Sequence, residues 1–440
     1  MNKLKEYKNI IMDLIKLSLP IFGGNISQVI IGITDTAVAG RYSTLALGTI
    51  SVASAVIMTA TIGAIGLVLS VSPIIANLRG QKIPAKKYFK STLFFSVLVS
   101  IPFFIITEII IFNLNSFGFN EELIFPMKQY MKVCVWTIFP AAVFVALKEF
   151  LQAYEKVMAA NMIMLLMVLI NFILDIVLTF GVDIFGFKIA GLGLLGLSIA
   201  TLLSKIISAV LILIYCIPFF KIPYTKGKKY IKELLKVGFP ISASMFFEFL
   251  GFNLTAVLIG KFSALYAAVH NIILCIANFT FMIVLSVSNA ASIKVGYYNG
   301  KQDKQSIIKY SVANIFLTLC ICFITFNILF LFSDEIISIF TSDTEVINLS
   351  KNILKIAMAF LFFDGIQGAN IGVLRGLKDT KIIMLTMLFV YLIVAIPYGS
   401  YFAFKKGIVL EGFWTGLALA LLIASFITSL RVVYNIKNLK

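Results

Sequence analysis

Polar residues break this chain into long apolar runs with short polar interruptions between them. Twelve such runs occupy roughly 14–39, 47–76, 91–113, 127–148, 157–181, 190–217, 236–260, 264–292, 309–332, 351–375, 382–404 and 408–431. A helix rises 1.5 Å per residue, so about 20 apolar residues cross a hydrocarbon core of about 30 Å. In lipid the backbone has no water to bond and must satisfy itself, which predicts helices over these runs and not open strands. Several runs exceed the minimum, which allows tilt or extension past the bilayer. The pattern predicts an all-α integral membrane protein with twelve transmembrane helices.

Composition and charge add an orientation to this picture. The chain is 60% hydrophobic and only 13% charged, with a mean hydropathy of +1.02. Its 37 Lys and Arg exceed its 20 Asp and Glu, for a net charge of +17. Of those basic residues, 27 fall at the two termini and in the loops after the second, fourth, sixth, eighth and tenth runs, as in 79–90 and 221–236. The opposite loops hold nine, Arg41, Lys128 and Lys405 among them, together with the acids Glu121, Glu122, Asp334 and Glu335. This asymmetry predicts a multi-pass protein of the plasma (inner) membrane with both termini cytoplasmic. The basic residues form no stripe, so no nucleic acid partner is expected. The partner the composition does imply is the lipid bilayer, and no obligate protein partner is predicted. The five cysteines all lie in apolar stretches without metal-ligand spacing and are read as small core residues. The first apolar stretch continues as a full span, so no cleaved leader is expected. No H-E-x-x-H, P-loop or Ser-His pair occurs; the chain is not read as an enzyme, and no catalytic residue or cofactor is assigned.

The two halves repeat. "LIKLSLPIF" from Leu14 aligns with "LLKVGFPIS" from Leu234 at a shift of 220 residues, which pairs Pro20 with Pro240. At the same shift "GRYSTLAL" from Gly40 meets "GKFSALYA" from Gly260, and Gly80 meets Gly300. Each half holds six runs, an even number, so both enter the membrane in the same sense and form parallel repeats with a cleft between them. The expected division is an N-lobe at 1–220, a basic cytoplasmic linker at 221–235 and a C-lobe at 236–440.

Four acids stand deep inside the runs, Asp35, Asp175, Glu248 and Asp364, whereas Glu108 lies near the outer end of the third and can snorkel. Each costs about 2.5–3.5 kcal/mol near a helix centre, so a counter-ion, a proton or water has to offset it. Asp35 lies five residues before Gly40, and Asp175 six before Gly181, with Asn171 one turn deeper on the same face. Thr201 falls near the depth of Asn171. These four residues span a zone roughly 8–16 Å below the outer end, and their oxygens suit a hard cation such as Na⁺, or a proton. Glu248 and Asp364 match in depth near the midplane, with Gln367 one turn from Asp364. The plain alternative is that each acid is a satisfied structural partner of a hydroxyl or backbone group. Lys205 either pairs with an acid or faces a cavity. His270 either titrates or packs in the core.

These strings together resemble the multidrug and toxic compound extrusion (MATE) family over essentially the whole chain. The resemblance rests on "LPIFGGNISQVIIGITDTAVAG" from Leu19, "NFILDIVLTFG" from Asn171 and "GLGLLGLSIAT" ending at Thr201. It continues with "GFPISASMFFE" ending at Glu248 and "FDGIQGANIGVLRGLKDT" from Phe363. It implies a V-shaped pair of six-helix lobes that exports small organic cations by alternating access, coupled to Na⁺ or H⁺. It assigns Asp35, Asn171, Asp175 and Thr201 to the N-lobe cation site. Glu248 and Asp364, with Gln367 beside them, form a C-lobe cation or substrate site of the NorM-like branch. Pro20 is either a bending point of the first helix or a fixed kink near its end. The alternative function is a flippase for lipid-linked saccharides of the same superfamily, which would need a cavity lined with Arg and Lys to grip phosphates. Here the deep charges are four acids and one lysine.

Overall fold

A computed structural model of the chain describes residues 2–119, 121–184, 187–223 and 227–439. Lys226 and Lys440 of the basic segments lie outside the described residues. Among the described residues, twelve helices are long and apolar enough to cross a membrane. They are α1 (Lys5–Tyr42), α2 (Thr44–Gly80), α3 (Ala85–Phe112), α4 (Glu121–Gln152), α5 (Val157–Phe180) and α6 (Gly193–Tyr215) in the first half. The second half holds α7 (Lys228–Gly260), α8 (Ala264–Lys301), α9 (Lys304–Leu331), α10 (Thr344–Gly376), α11 (Lys381–Lys406) and α12 (Leu410–Asn438).

Several helices outrun the apolar stretches that announce them. The eighth run ends near 292, but α8 continues to Lys301, and α4 begins at Glu121, ahead of the expected 127. Hydropathy reports where lipid ends, whereas the backbone ladder continues into water wherever a turn still packs on one face. The link between α5 and α6 also departs from the expected run at 190–217. Gly181 leaves α5 at φ 79° and ψ 159°, a conformation favouring glycine, and opens a short antiparallel ribbon. Its strands are β1 (Gly181–Ile184) and β2 (Phe187–Ala190), with Gly181 opposite Ala190. The sixth helix therefore starts at Gly193.

The repeat read from the sequence is reproduced in local geometry. Ser43 and Ser263 are both extended residues whose hydroxyls accept the first free amides of α2 and α8, from Ala46 at 3.0 Å and Leu265 at 3.1 Å. Lys82 and Gln302, again 220 apart, both turn left-handed just past those helices, at φ 61° and 60°. The matched glycines meet each other directly. A Cβ on Gly80 would lie 2.0 Å from the Tyr297 carbonyl, and one on Gly300 would lie 2.0 Å from the Asn77 carbonyl. Asn77 and Tyr297 are themselves 220 apart, so this crossing of α2 and α8 is a pseudo-twofold contact that only two glycines permit. At the head of α9, Asp303 accepts from the Ser306 hydroxyl at 2.7 Å and amide at 3.0 Å. Those two bonds hold its carboxyl below the ordinary range.

Contacts divide the chain into two compact units. One comprises Met1–Phe22, Ala76–Ile83 and Ala243–Lys440, and the other Gly23–Ile75 and Pro84–Ser242. The boundaries inside α1 and α7 fall two residues beyond Pro20 and Pro240, prolines within those helices. In the first unit, Gly365, Gly368, Gly372 and Gly376 form a row on α10 at helical spacing, and the last three bring α8 close. A Cβ on Gly372 would stand 2.4 Å from the Ser288 carbonyl, and the Ser288 hydroxyl donates to the Gly368 carbonyl at 2.7 Å. In the second unit, Ile50, Ala53, Ile57, Met127, Tyr130 and Leu197 belong to a core shared by α2, α4 and α6.

The glycine crossing gives a direct test of packing. Gly300→Ala forces the α2 backbone away and should lower the melting temperature of the purified protein by several degrees, a cost of about 1–3 kcal/mol. Gly260→Ala, where a Cβ meets nothing within 4 Å, should leave it unchanged to about a degree.

Candidate functional site: a buried acidic cluster

The second unit carries a carboxylate cluster built by three helices. Asn171 and Asp175 lie one turn apart on α5, and both are fully buried. α6 approaches α5 closely because Gly196 has no side chain: a Cβ there would sit 2.0 Å from the Leu178 carbonyl. That approach presents Thr201, on the next turn and a half of α6, toward the same point, while α1 supplies Asp35.

With its nitrogen facing both carboxylates, the Asn171 amide donates to Asp35 Oδ1 at 3.1 Å and to Asp175 Oδ2 at 3.2 Å. Asp35 also lies beside Thr201 and Asp175 itself. The Thr201 hydroxyl donates to the Leu197 carbonyl at 3.1 Å, which leaves its lone pairs for a ligand. Two carboxylates in contact at a desolvated position require a proton or a cation between them. The structure thus brings Asp35, Asn171, Asp175 and Thr201 together at one point.

The cluster opens on a cavity of about 300 Å³. Asp35, Asn171 and Thr201 line it on one side, and Met58, Met164, Met167, Ile57 and Phe144 supply apolar wall. Methionine and aromatic side chains adapt to varied apolar shapes and attract cations through polarisable sulfur and ring faces. Lys205 faces this same cavity, one turn beyond Thr201 on α6 and within electrostatic reach of Asp35. Tyr130 of α4 borders it as well, near both acids. Nothing in the sequence singles out Tyr130, a lone tyrosine in the first third of α4.

The first unit holds the second acidic set. Asp364 and Gln367 are buried on α10, one turn apart. The Gln367 amide donates weakly to the Met387 sulfur at 3.5 Å, and its carbonyl oxygen has no partner. Glu248 of α7 is half-buried and lies within electrostatic reach of Asp364. One turn from Glu248, Gly251 lets the Tyr391 ring of α11 lie against α7, where a Cβ would be 2.7 Å from it. Tyr391 is fully buried with an unpartnered hydroxyl near both acids, and it rides on a π-helical segment at Phe389–Ala395. Such bulges concentrate at functional positions. The one sequence signal for it is a tyrosine in the middle of the apolar string "FVYLIVA". His270 packs in the core against Trp414, ring centroids 5.6 Å apart, with neither ring nitrogen hydrogen-bonded.

A polytopic helical membrane protein with two parallel repeats and a buried acid set in each is the class these features define. A model of the MatE family matches residues 20–177 and 240–400, and the chain belongs to that family. The two matched segments begin at Pro20 and Pro240, the repeat-related prolines. The probable multidrug resistance protein NorM of Bacillus cereus (strain ATCC 10987 / NRS 248) is 28% identical over 96% of this chain and 94% of its own length. The multidrug resistance protein NorM of Vibrio cholerae serotype O1 is 25% identical over 98% and 96%. Among solved structures, the eukaryotic MATE transporter AtDTX14 superposes with a TM-score of 0.87 at 20% identity, covering 97% of this chain and 96% of that one. A multidrug resistance MATE family transporter of the MOP superfamily in an outward-facing conformation does so at 0.85 and 19%, covering 98% and 97%.

The shared amide makes a specific energetic prediction. Asn171→Ala removes a donor from two carboxylates at once and should lower the melting temperature by several degrees, each charged hydrogen bond being worth about 1.5–3 kcal/mol. Adding Asp175→Asn, which removes the facing charge, should restore much of that loss. Simple additivity of the two losses would show that Asn171 does not bridge the pair.

Proposed function

We propose that this chain is a multidrug efflux antiporter that exports small organic cations in exchange for Na⁺ or H⁺ by alternating access. The observation that carries the reading is the contact between Asp35 and Asp175 under one shared amide, at the edge of a cavity walled by methionine and aromatic side chains. A site of this kind binds positive charge or remains strained, and it exchanges one cation for another by competition for the same carboxylates. On the outward side the cluster of Asp35, Asn171, Asp175 and Thr201 takes Na⁺ or a proton, which removes the attraction for cationic cargo, and the cargo leaves. On the inward side loss of that ion restores the negative charge and favours an amphipathic cation. Glu248 and Asp364, with Gln367, form the second cation or substrate site in the C-lobe. Pro20, inside α1, is either the point at which that helix bends as the cluster changes charge or a fixed kink near its end.

In this reading the lobes are residues 1–220 and 236–440, joined by the basic segment 221–235 on the cytoplasmic side, and the protein resides in the plasma (inner) membrane. The NorM relatives are named as multidrug resistance proteins, which is consistent with export of drugs.

The test is efflux of ethidium from membrane vesicles under Na⁺ and pH gradients imposed separately. One of the two gradients should drive efflux by the wild-type protein, and Asp35→Asn should abolish the driven component, a loss of tenfold or more, while the protein still inserts and folds. Undiminished driven efflux by that variant would refute the site.

A further inference from the structure

Lys205 is a charged residue of the acid-lined cavity that the exchange scheme leaves without a role. It sits one turn from Thr201 on α6, so both side chains project from one face. It lines the cavity bounded by Asp35, Asn171 and Thr201, and it is half-buried there. A lysine at such depth is as costly as an acid and persists only where it meets opposite charge or water. Here the opposite charge is at hand, because Asp35 lies within its electrostatic reach. In a cavity walled by apolar side chains that attraction is screened far less than on a surface.

Charge counting then gives the lysine a function. Two ionised aspartates alone present a charge of −2, and two monovalent cations would be needed to neutralise them. With the Lys205 ammonium in the same cavity the sum is −1, and a single monovalent cation completes neutrality. We propose that Lys205 is the built-in counter-ion of the Asp35–Asp175 site. It occupies the negative potential when the coupling ion is absent, competes with that ion for it, and sets the site to one cation per cycle. A competitor fixed to the protein weakens ion binding, and that weakness lets the ion leave on the side where its concentration is low. The inference rests on reading Asp35, Asn171, Asp175 and Thr201 as the coupling site.

The test measures ethidium efflux from vesicles as a function of the concentration of the driving cation, Na⁺ or H⁺. Lys205→Met keeps length and apolar bulk but removes the charge. It should lower the half-activating cation concentration by about tenfold or more, as expected for deleting a fixed charge that shares a cavity with the site at intermediate dielectric. Lys205→Arg, which keeps the charge, should hold that concentration within about threefold of wild type. If Lys205→Met does not accumulate in the membrane, Lys205→Gln serves the same purpose. A residue that merely packs would lose activity in these variants without making the cation more effective. An unchanged or raised half-activating concentration in the neutral variant overturns the proposal. Asp35→Asn is measured in parallel: loss of cation activation there keeps the coupling site whatever Lys205 does, and its retention brings down the coupling site itself.

Discussion

Charge in a low-dielectric interior is the constraint on which this structure depends. Each carboxylate near the middle of a membrane helix costs about 2.5–3.5 kcal/mol, and four are held there. The protein contains that cost by pairing the acids and not by scattering them. Asp35 meets Asp175 under a shared amide in one unit, and Asp364 lies near Glu248 in the other. Pairing like charges offsets nothing by itself, and the positive groups within electrostatic reach are Lys205 for Asp35 and Arg375 for Glu248. In the proposed function a transported cation supplies the positive charge that each pair still lacks.

Holding such sites requires helix backbones to approach closely, and glycine provides the approach at each critical place. Gly196 lets α6 lie against α5 so that Thr201 reaches the acids, and Gly251 admits the Tyr391 ring beside Glu248. Gly80 and Gly300 cross as a matched pair. In lipid, where hydrophobic burial supplies little net drive between helices, contacts between small residues and the hydrogen bonds they permit carry much of the association. The Ser288 hydroxyl on the Gly368 carbonyl is one such bond.

Much of this was legible in the sequence because membrane physics writes it in large letters. Twelve apolar runs gave twelve helices, and the 220-residue shift that paired Pro20 with Pro240 reappears in the capping serines and the crossing glycines. The two acid groups could be sorted by depth, since helical rise fixes position along a span. What depth does not fix is rotation about the helix axis or a local break in the helical ladder, and the features beyond the sequence depend on one or the other. Lys205 stood open between an acid and a cavity, and the packing of α6 on α5 turns it toward the cavity that Asp35 lines. Tyr391 owes its position to a π-helical stretch that no periodicity announces. The ribbon after α5 depends on one glycine at φ 79°, a local event inside what hydropathy reads as the start of the next span.

The central claim is that coupling ion and organic cation compete for the same buried negative charge. It is tested most directly by equilibrium binding of a fluorescent cation such as ethidium to the purified protein while Na⁺ concentration and pH are stepped independently. The account predicts that one of these ions weakens dye binding in proportion to its own occupancy, and that saturating dye weakens the ion reciprocally. Dye affinity that stays constant across both series would contradict it.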